Sequence, residues 1–402
     1  MSDFSLALNE DQLTLQKWLH EFAVDVMRPN AEEWDEREEF PWPIVEQAAE
    51  IGLYSWEFMA EMMMNDPTGI SMVTAIEEIF WGDAGIGMAI MGSGLAAAGI
   101  AASGTPEQVM EWVPQCYGDG SKINTGAFAA SEPDAGSDVN GYRLSAKYDE
   151  AKDEWILNGT KAWITNGGMA DIHVVVAVVD PELGSKGHAS FIVPPGTAGL
   201  TQGQKYKKHG IKASHTAEVV LDDVRVPGHC LLGGKEKLDE RLAKVRRGEK
   251  GNAQAAMQTF EATRPAVGAQ ALGIARAATE YATEYAKERH AFGKPIIMNQ
   301  GIAFMLADMA TDLEAARALL YLAAAKVTDN APDKSRFSAM AKRLATDNGS
   351  KVVNDALQLF GGYGYLKDYP IERYWRDLRV HSILEGTNQV MRMIVGRDLL
   401  RQ

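Results

Sequence analysis

The chain has 402 residues, of which 46% are hydrophobic and 24% charged, an ordinary balance for a globular protein with a large core. Its formal net charge of -15 argues against nucleic acid as a partner, because phosphate backbones are bound by basic surfaces. The two cysteines, Cys116 and Cys230, lie far apart without a CxxC pattern, so we expect neither a disulfide framework nor a metal site.

The first third of the chain has the apolar periodicity of helices. Asn9 and Gln12 have the spacing of a capping box, an apolar face over residues 15–26 predicts the first helix, and Pro29 is expected to end it. Further helices are predicted at 43–53, 71–81 and 107–116.

The stretch 84–106 carries no charge and consists mostly of Gly, Ala and Ser. Because it has few large apolar residues and no aromatic belt, we expect a packed buried helix and no integral membrane span. The amino terminus has neither the apolar run of a signal peptide nor the Arg-rich pattern of a transit peptide, which predicts a cytoplasmic protein.

From about residue 123 the pattern becomes that of β-strands. Asn158-Gly159 lies between apolar residues and predicts a hairpin, because this dipeptide suits a type I′ turn. Short apolar runs predict strands at 172–179, 190–193 and 217–226. We therefore expect a small β-domain, a barrel or a sandwich.

From residue 238 the helical pattern returns and continues to the end. Helices at 264–289, 300–327, 333–360 and 387–400 predict a four-helix bundle, with Pro265 at a permitted early helix position. The predicted fold class is α+β and mainly α. Its predicted domains are a helical domain at 1–122, a β-domain at 123–234 and a helical bundle at 235–402 with a charged insertion at 235–255.

Glu385 is a lone acid in the corner Ile383-Leu384-Glu385-Gly386-Thr387, just before the last predicted helix, which Thr387 can cap. Partial desolvation there would raise its pKa toward neutrality, as a general base requires. A surface glutamate near a helix N-terminus fits the same residues, because the macrodipole favours an acid there.

Two segments in the predicted β-domain have the features of a cofactor site. The loop 128–138 is rich in small and hydroxyl residues, so its N–H groups suit an anion or a flat ring, although a plain turn fits as well. Strand alternation puts Trp163 and Thr165 on one face, which suits stacking on an aromatic cofactor with a hydrogen bond to its edge. A core tryptophan is the alternative.

These motifs, in this order, resemble those of the acyl-CoA dehydrogenases, and the resemblance covers essentially the whole chain. The similar segments are 131–138 (SEPDAGSD), 163–167 (WITNG), 263–265 (TRP), 289–293 (RHAFG), 358–362 (QLFGG) and 384–387 (LEGT). The pattern is that of the medium-chain or short-branched members. It implies an N-terminal helical domain, a middle β-domain, a C-terminal four-helix bundle and FAD as the cofactor.

The resemblance also implies roles for individual residues. Glu385 would be the catalytic base that removes the α-proton of an acyl-CoA thioester, giving a trans-2-enoyl-CoA with the flavin as hydride acceptor. A first set would contact FAD: Phe128, Ala130, Ser131, Ser137, Trp163, Thr165, Thr387 and Gln389. A second set would reach the FAD of a neighbouring subunit: Arg289, Phe292, Gln358 and Gly362. Substrate contacts are implied for Ser137, Arg264, Glu261, Leu384, Gly386, Met88 and Met91.

The implied partners are an electron-transferring flavoprotein and further copies of the chain, expected as a tetramer built as a dimer of dimers. Asp134 departs from the family loop, where a small residue is usual, and adds negative charge near a phosphate-bearing ligand. For the insertion 235–255, an extra solvated helix, a role at the coenzyme A mouth and a subunit contact stay open. Acyl length stays open too, because Met88 and Met91 would shorten the pocket whereas Gly92 and Gly94 would deepen it.

Two other functions fit the same sequence. A flavin oxidase or monooxygenase would use the scaffold for oxygen chemistry. A non-catalytic acyl-CoA-binding protein would have lost the reaction, although the intact Glu385, Trp163 and Thr165 speak against this alternative.

Overall fold

The computed structural model describes residues 6–119, 122–249 and 255–400. Within these ranges a helical block is followed by a β-block and a second helical block, the order that the sequence predicts. The helices of the first block are α1 (Glu10–Phe22), α2 (Arg28–Arg37), α3 (Trp42–Glu50), α4 (Trp56–Asn65), α5 (Ile70–Gly82), α6 (Ala84–Met91), α7 (Ser93–Ser103) and α8 (Pro106–Trp112).

The prediction that Pro29 ends the first helix is wrong. A π-helical turn, Ala23–Met27, joins α1 directly to α2, and the Arg28 N–H bonds to the Ala23 carbonyl. Pro29 therefore falls in the first turn of α2, where a missing N–H and a fixed φ are tolerated. The shift in hydrogen-bond register lets the chain pass the proline without leaving a helical path.

The uncharged stretch forms α6 and α7. By length and composition the segment Ala84–Ser103 is apolar enough to cross a membrane, but 61% of its apolar window is buried inside the protein, as in a core helix. Gly92, between the two helices, lies against the β-block: a Cβ there would be 3.1 Å from Thr165 Cγ2 and 2.7 Å from the Met88 carbonyl oxygen. The close approach of helix and strand therefore requires glycine.

The β-block is one seven-stranded sheet in the order β1-β4-β2-β3-β7-β6, with β5 paired to β4. Its strands are β1 (Gly126–Ala129), β2 (Ser145–Asp149), β3 (Glu154–Thr165), β4 (Ile172–Val178), β5 (His188–Val193), β6 (Leu200–Lys205) and β7 (Thr216–Pro227). Strand β4 pairs parallel with β1 and β2 and antiparallel with β5. The apolar runs predicted as strands therefore became β4, β5 and β7.

The predicted hairpin at Asn158-Gly159 is wrong, because β3 runs straight through this dipeptide. The register of β3 against β7 shifts between Leu157 and Gly159, which marks a β-bulge. The Asn158 side chain accepts a hydrogen bond from the Asp223 N–H at 2.8 Å, and Gly159 has φ 141°. A Cβ at Gly159 would come 2.8 Å from Leu144 Cα, so the glycine serves close strand packing and not a turn.

In the second helical block α10, α11 and α12 pack together, α14 packs on α12, and α5 of the first block lies against α10 and α11. Its elements are α9 (Lys235–Arg246), α10 (Ala255–Glu288), β8 (His290–Ala291), β9 (Lys294–Pro295), α11 (Gln300–Thr328), α12 (Lys334–Phe360), α13 (Ile371–Leu378) and α14 (Asn388–Leu399). The sequence pattern did not predict α13 or the small β8–β9 hairpin.

Pro265 lies inside α10, so the prediction of an early helix position is wrong. A proline inside a helix removes one backbone hydrogen bond and crowds the preceding turn. In that preceding turn the Thr263 hydroxyl lies 3.1 Å from the Thr259 carbonyl oxygen. The long packed helix thus continues through a residue that local preference alone would place at its start.

The charged insertion contributes α9, which is anchored to the β-block. Arg241 donates to the Lys186 and His188 carbonyl oxygens at 2.6 and 2.5 Å, and Arg246 pairs with Asp180 at 2.6 Å. Leu238, on the same helix, is buried. This helix is therefore held by side-chain contacts on one face instead of being solvated all round.

Helix α13 is the place where the three blocks meet. Arg376 donates to the Asp35 carboxylate of α2 at 2.7 Å and to the His209 carbonyl oxygen of the β-block at 3.2 Å. The neighbouring Asp377 accepts a 2.5 Å hydrogen bond from the Ile211 N–H. Burial raises the pKa of Asp377 to about 8. One short helix thus connects all three parts of the fold.

Candidate active site

The corner that carries Glu385 is a left-handed turn between a 3₁₀ turn, Arg379–Ser382, and α14. Glu385 has φ 50° and Gly386 has φ 94°. The Thr387 hydroxyl caps α14 by accepting from the Val390 N–H at 3.3 Å, as the sequence predicts. A positive φ at a residue other than glycine is uncommon and costs energy, so surrounding contacts must hold this corner.

The Glu385 carboxylate is directed at α10. Its Oε2 atom lies 2.7 Å from the Thr263 hydroxyl, which donates to the ionised carboxylate. When Glu385 is protonated, the same hydroxyl oxygen is free to accept from it and to donate to the Thr259 carbonyl oxygen. Thr263 therefore suits both protonation states of Glu385.

The surroundings of Glu385 give it a pKa near neutrality. Burial raises the pKa of the carboxyl to about 7, while the Thr263 hydroxyl and the charges of Lys342 and Arg264 act in the opposite direction. Arg264, which the resemblance implies as a substrate contact, is buried, and its guanidinium acts on the carboxyl electrostatically. A carboxyl with a pKa near 7 is a suitable general base at physiological pH.

Below the corner lie two further buried groups, Lys342 of α12 and His381. The His381 ring donates from Nδ1 to the Leu378 carbonyl oxygen at 3.3 Å. Burial lowers the pKa of His381 to about 4, so its imidazole is neutral at physiological pH. The pKa values of two histidines in the β-block are lowered to about 4 by burial as well: His173 and His188.

The loop after β1 is fixed by a buried lysine that the sequence reasoning missed. Lys161 donates to the Ala130 carbonyl oxygen and to the Glu132 carboxylate, both at 2.8 Å. Ala130 is buried, so only part of the loop's polar backbone faces outward. The sequence feature that could have predicted this contact is Lys161 itself, a lysine in a strand that also carries Ala162, Trp163 and Ile164.

The remaining predicted residues of this loop differ in exposure. Phe128 is buried and its ring meets Phe260 of α10 edge to face, with ring centroids 5.7 Å apart. Ser137 is exposed. The Asp134 side chain is 83% exposed and 3.9 Å from Arg143, so its charge points into solvent and leaves the loop backbone accessible.

Strand β3 presents Trp163 on the surface. Its indole is 60% exposed, at φ 65°, and stacks on Tyr206 with ring centroids 4.2 Å apart. Thr165 is partly exposed, whereas Ala162 and Ile164 are buried. Trp163 and Thr165 are thus the more exposed residues here, although a second register shift interrupts regular alternation between Lys161 and Ile164.

A second group of predicted residues lies where α10 and α12 end. Tyr285 of α10 stacks on Phe360 of α12 with centroids 4.0 Å apart, which brings the two helix ends together. Arg289 lies over the Tyr363 ring at 5.5 Å. The four residues assigned to a neighbour's FAD are all exposed there: Arg289, Phe292, Gln358 and Gly362.

The remaining predicted residues have less defined surroundings. Leu384, Met88 and Met91 are partly exposed, and Gln389 is exposed. The carbonyl oxygen of Gly386 accepts from Lys342. The Glu261 side chain lies outside the described part of the protein.

The fold and this site define a flavoprotein oxidoreductase that acts on CH–CH bonds. The sequence matches three family descriptions: "Acyl-CoA dehydrogenase, N-terminal domain" over residues 9–118, "Acyl-CoA dehydrogenase, middle domain" over 127–224 and "Acyl-CoA dehydrogenase, C-terminal domain" over 251–400. The chain belongs to the acyl-CoA dehydrogenase family, whose members are FAD-dependent and take part in fatty acid and amino acid catabolism.

Individual relatives span nearly the whole chain. The mitochondrial short-chain specific acyl-CoA dehydrogenase of Rattus norvegicus is 38% identical over 398 residues, which cover 99% of this chain and 92% of the relative. The solved structure of butyryl-CoA dehydrogenase from Megasphaera elsdenii is 36% identical, with a TM-score of 0.88, over 99% of this chain and all of that one. A chain from the structure reported as the electron transferring flavoprotein of Acidaminococcus fermentans is 37% identical, with a TM-score of 0.88 and coverages of 99% and 100%.

The loop and strand residues of this chain fit an FAD ring. Trp163 offers an exposed aromatic face at the strand surface. Thr165, two residues along the same strand, is partly exposed and offers a hydroxyl to the edge of a planar ligand. Gly92 lets the helices α6 and α7 approach the same strand closely. Stacking face and polar edge are thus supplied by neighbouring residues.

Proposed function

We propose that this protein oxidises an acyl-CoA thioester to a trans-2-enoyl-CoA, with Glu385 as the base that removes the α-proton. The observation that carries this proposal is the setting of the Glu385 carboxyl, with its pKa raised to about 7 by burial and its Oε2 atom hydrogen-bonded to Thr263. An ordinary surface glutamate would be ionised throughout the physiological range. Glu385 can both accept and hold a proton there.

The residues of the chain divide the work. Bound FAD would supply the acceptor for the hydride that leaves the β-carbon. Trp163, Thr165 and the loop around Ser131 would hold the ring, and the Glu385 backbone N–H would polarise the thioester oxygen as its negative charge increases. Thr263 steadies the carboxylate before proton transfer and can accept a hydrogen bond from the carboxylic acid afterwards. Leu384, Met88 and Met91 would line the acyl site.

Two assembly features belong to the same proposal. The reduced enzyme would pass its electrons to an electron-transferring flavoprotein, which agrees with the similarity to a chain from the A. fermentans structure. A homotetramer would bring the exposed residues at the ends of α10 and α12, among them Arg289 and Phe292, to a neighbour's FAD. The forked donors of Arg289 suit a pyrophosphate. A cytoplasmic location stays a prediction from the sequence.

The test is the visible spectrum of the purified protein, titrated anaerobically with acyl-CoAs. Short straight chains come first, because two similar proteins are named for short-chain and butyryl substrates. We expect one member to bleach the flavin band in the wild type and none to bleach it in Glu385→Gln. Retained flavin with active bleaching in Glu385→Gln would refute the base assignment.

The same titration separates the alternatives. A flavin band that reoxidises rapidly in air after bleaching would favour an oxidase or monooxygenase. A protein that binds acyl-CoA but neither contains nor takes up FAD would be the non-catalytic binder.

A further inference from the structure

Lys342 is a fully buried lysine in the middle of α12, with 0% of its surface exposed. Its ammonium donates to the Gly386 carbonyl oxygen at 2.9 Å and to the Asn388 side-chain oxygen at 3.0 Å. Lysine is seldom fully buried, because removing the charge from water is costly unless partners compensate. Burial lowers the pKa of Lys342 to about 8. A cation retained in this place needs a reason beyond packing.

The two acceptors of Lys342 lie just after Glu385, on the corner and on the first residue of α14. Gly386 has a left-handed backbone, like Glu385 before it. The hydrogen bond from Lys342 to the Gly386 carbonyl oxygen fixes the peptide that joins this corner to α14. The Asn388 amide is itself oriented: its Nδ2 donates to the Thr346 hydroxyl at 2.8 Å and to Asp347 at 2.6 Å. The lysine therefore ties the strained corner to a rigid part of α12.

The charges around Lys342 come from three sides. Glu385 favours its charged form most, Arg264 of α10 opposes it, and Asp347 on the lysine's own helix favours it. His381, in the 3₁₀ turn before the corner, is neutral at physiological pH. Because the attraction is mutual, the ammonium also favours the ionised form of Glu385.

We propose that Lys342 is the positioning residue of the catalytic corner: it fixes the Gly386 carbonyl so that the Glu385 carboxylate faces the substrate, and its charge keeps that carboxylate ionised. The proposal rests on the role of Glu385 as the base. It assigns to α12, which contributes no group to the reaction itself, control over the pH range in which the enzyme works.

The experiment compares Lys342→Met with the wild type in anaerobic stopped-flow bleaching by saturating acyl-CoA, across the pH range 5.5–9. We expect the rising limb of the rate to move upward by about one pH unit, so that the rate below the limb falls about tenfold. Lys342→Arg keeps the charge and should restore most of the position of the limb. The matched control is Lys326→Met, which removes another buried lysine, on α11, whose partner is Asp333 just before α12; it should leave the limb in place.

A merely structural role for Lys342 would lower flavin content or stability without moving the limb. An unshifted limb in Lys342→Met with normal flavin content would overturn the proposal. If that variant does not fold, Lys342→Gln keeps N–H donors without the charge, and the same criterion applies to it. Activity in Glu385→Gln would instead refute the base assignment, whereas an inactive Glu385→Gln with an unshifted Lys342→Met would refute only the role of Lys342.

Discussion

Removing the charge of Lys161 should destabilise the β-block strongly, because its partner would be left charged and buried. The Glu132 carboxylate accepts from the Lys161 ammonium at 2.8 Å and from the N–H groups of Arg143 and Leu144 at 2.7 and 3.0 Å. Lys161 has 0% of its surface exposed, and its ammonium also lies 4.5 Å from the centre of the Tyr142 ring. Breaking a buried ion pair from one side typically costs about 3–5 kcal/mol.

Lys161→Met should therefore lower the apparent free energy of unfolding by about 3–5 kcal/mol. The double variant Lys161→Met/Glu132→Gln should be less destabilised than Lys161→Met alone, because it leaves no unpaired charge at this buried site. Since Lys161 also holds the Ala130 carbonyl, flavin should dissociate more readily from the single variant. Urea unfolding followed by tryptophan fluorescence measures the first effect, and flavin retained after gel filtration measures the second.

The control is Lys147→Met, an exposed lysine in β2, which should change stability by less than about 0.5 kcal/mol. The reasoning fails if Lys161→Met is as stable as this control. It fails as well if the double variant loses as much stability as Lys161→Met and Glu132→Gln lose in sum when each is made alone, because then the two charges do not interact.

Three further outcomes are expected. Thr263→Val removes the hydroxyl that donates to the Glu385 carboxylate, so the rising limb of the bleaching rate should move up by about one pH unit. Thr263→Ser keeps the hydroxyl and should leave the limb in place. A limb at the same pH in Thr263→Val and Thr263→Ser would contradict the role of the hydroxyl in tuning Glu385. Arg241→Ala should free α9 from the β-block, so hydrogen exchange over residues 235–246 should be faster than in the control Arg247→Ala. If Arg241→Ala also lowers the affinity for coenzyme A, α9 serves the coenzyme A mouth as well. His173, His188 and His381 should destabilise the protein as the pH falls from 6.5 to 5, because only the unfolded chain then binds their protons, at up to about 1.4 kcal/mol each per pH unit. Urea midpoints that stay constant over that range would contradict this.

The sequence predicts the order of the three blocks and the long helices, because those features repeat a period over many residues. The pattern placed α11 within one residue at each end, and Gly361 at φ 58° ends α12 as its motif predicts. The predictions that failed rest on single residues or dipeptides that are compatible with more than one local structure. Pro29 follows a π turn, Asn158-Gly159 forms a bulge, and Pro265 lies inside a helix, because tertiary packing overrides the local preference in each case.

The site divides in the same way. The resemblance named Glu385, and the desolvation argument anticipated the direction of its pKa shift. The contacts that tune it were not predicted, because Thr263 and Lys342 lie on other helices, far from Glu385 along the chain. No local spacing brings a threonine of α10 and a lysine of α12 to one carboxylate. Only the packing of the bundle does so.

The junction at α13 has a consequence for exchanging parts between relatives. The matched boundaries of the middle family domain, 127–224, include His209 and Ile211, whose backbone groups bond to Arg376 and Asp377 of the last block. A chimera with a foreign middle domain would therefore keep the Arg376 and Asp377 side chains while replacing the loop that satisfies them. Such a graft has to preserve the path of that loop, and Arg376 must still reach Asp35 of the first block. The middle domain can therefore be exchanged with that of a relative only together with α2 and α13.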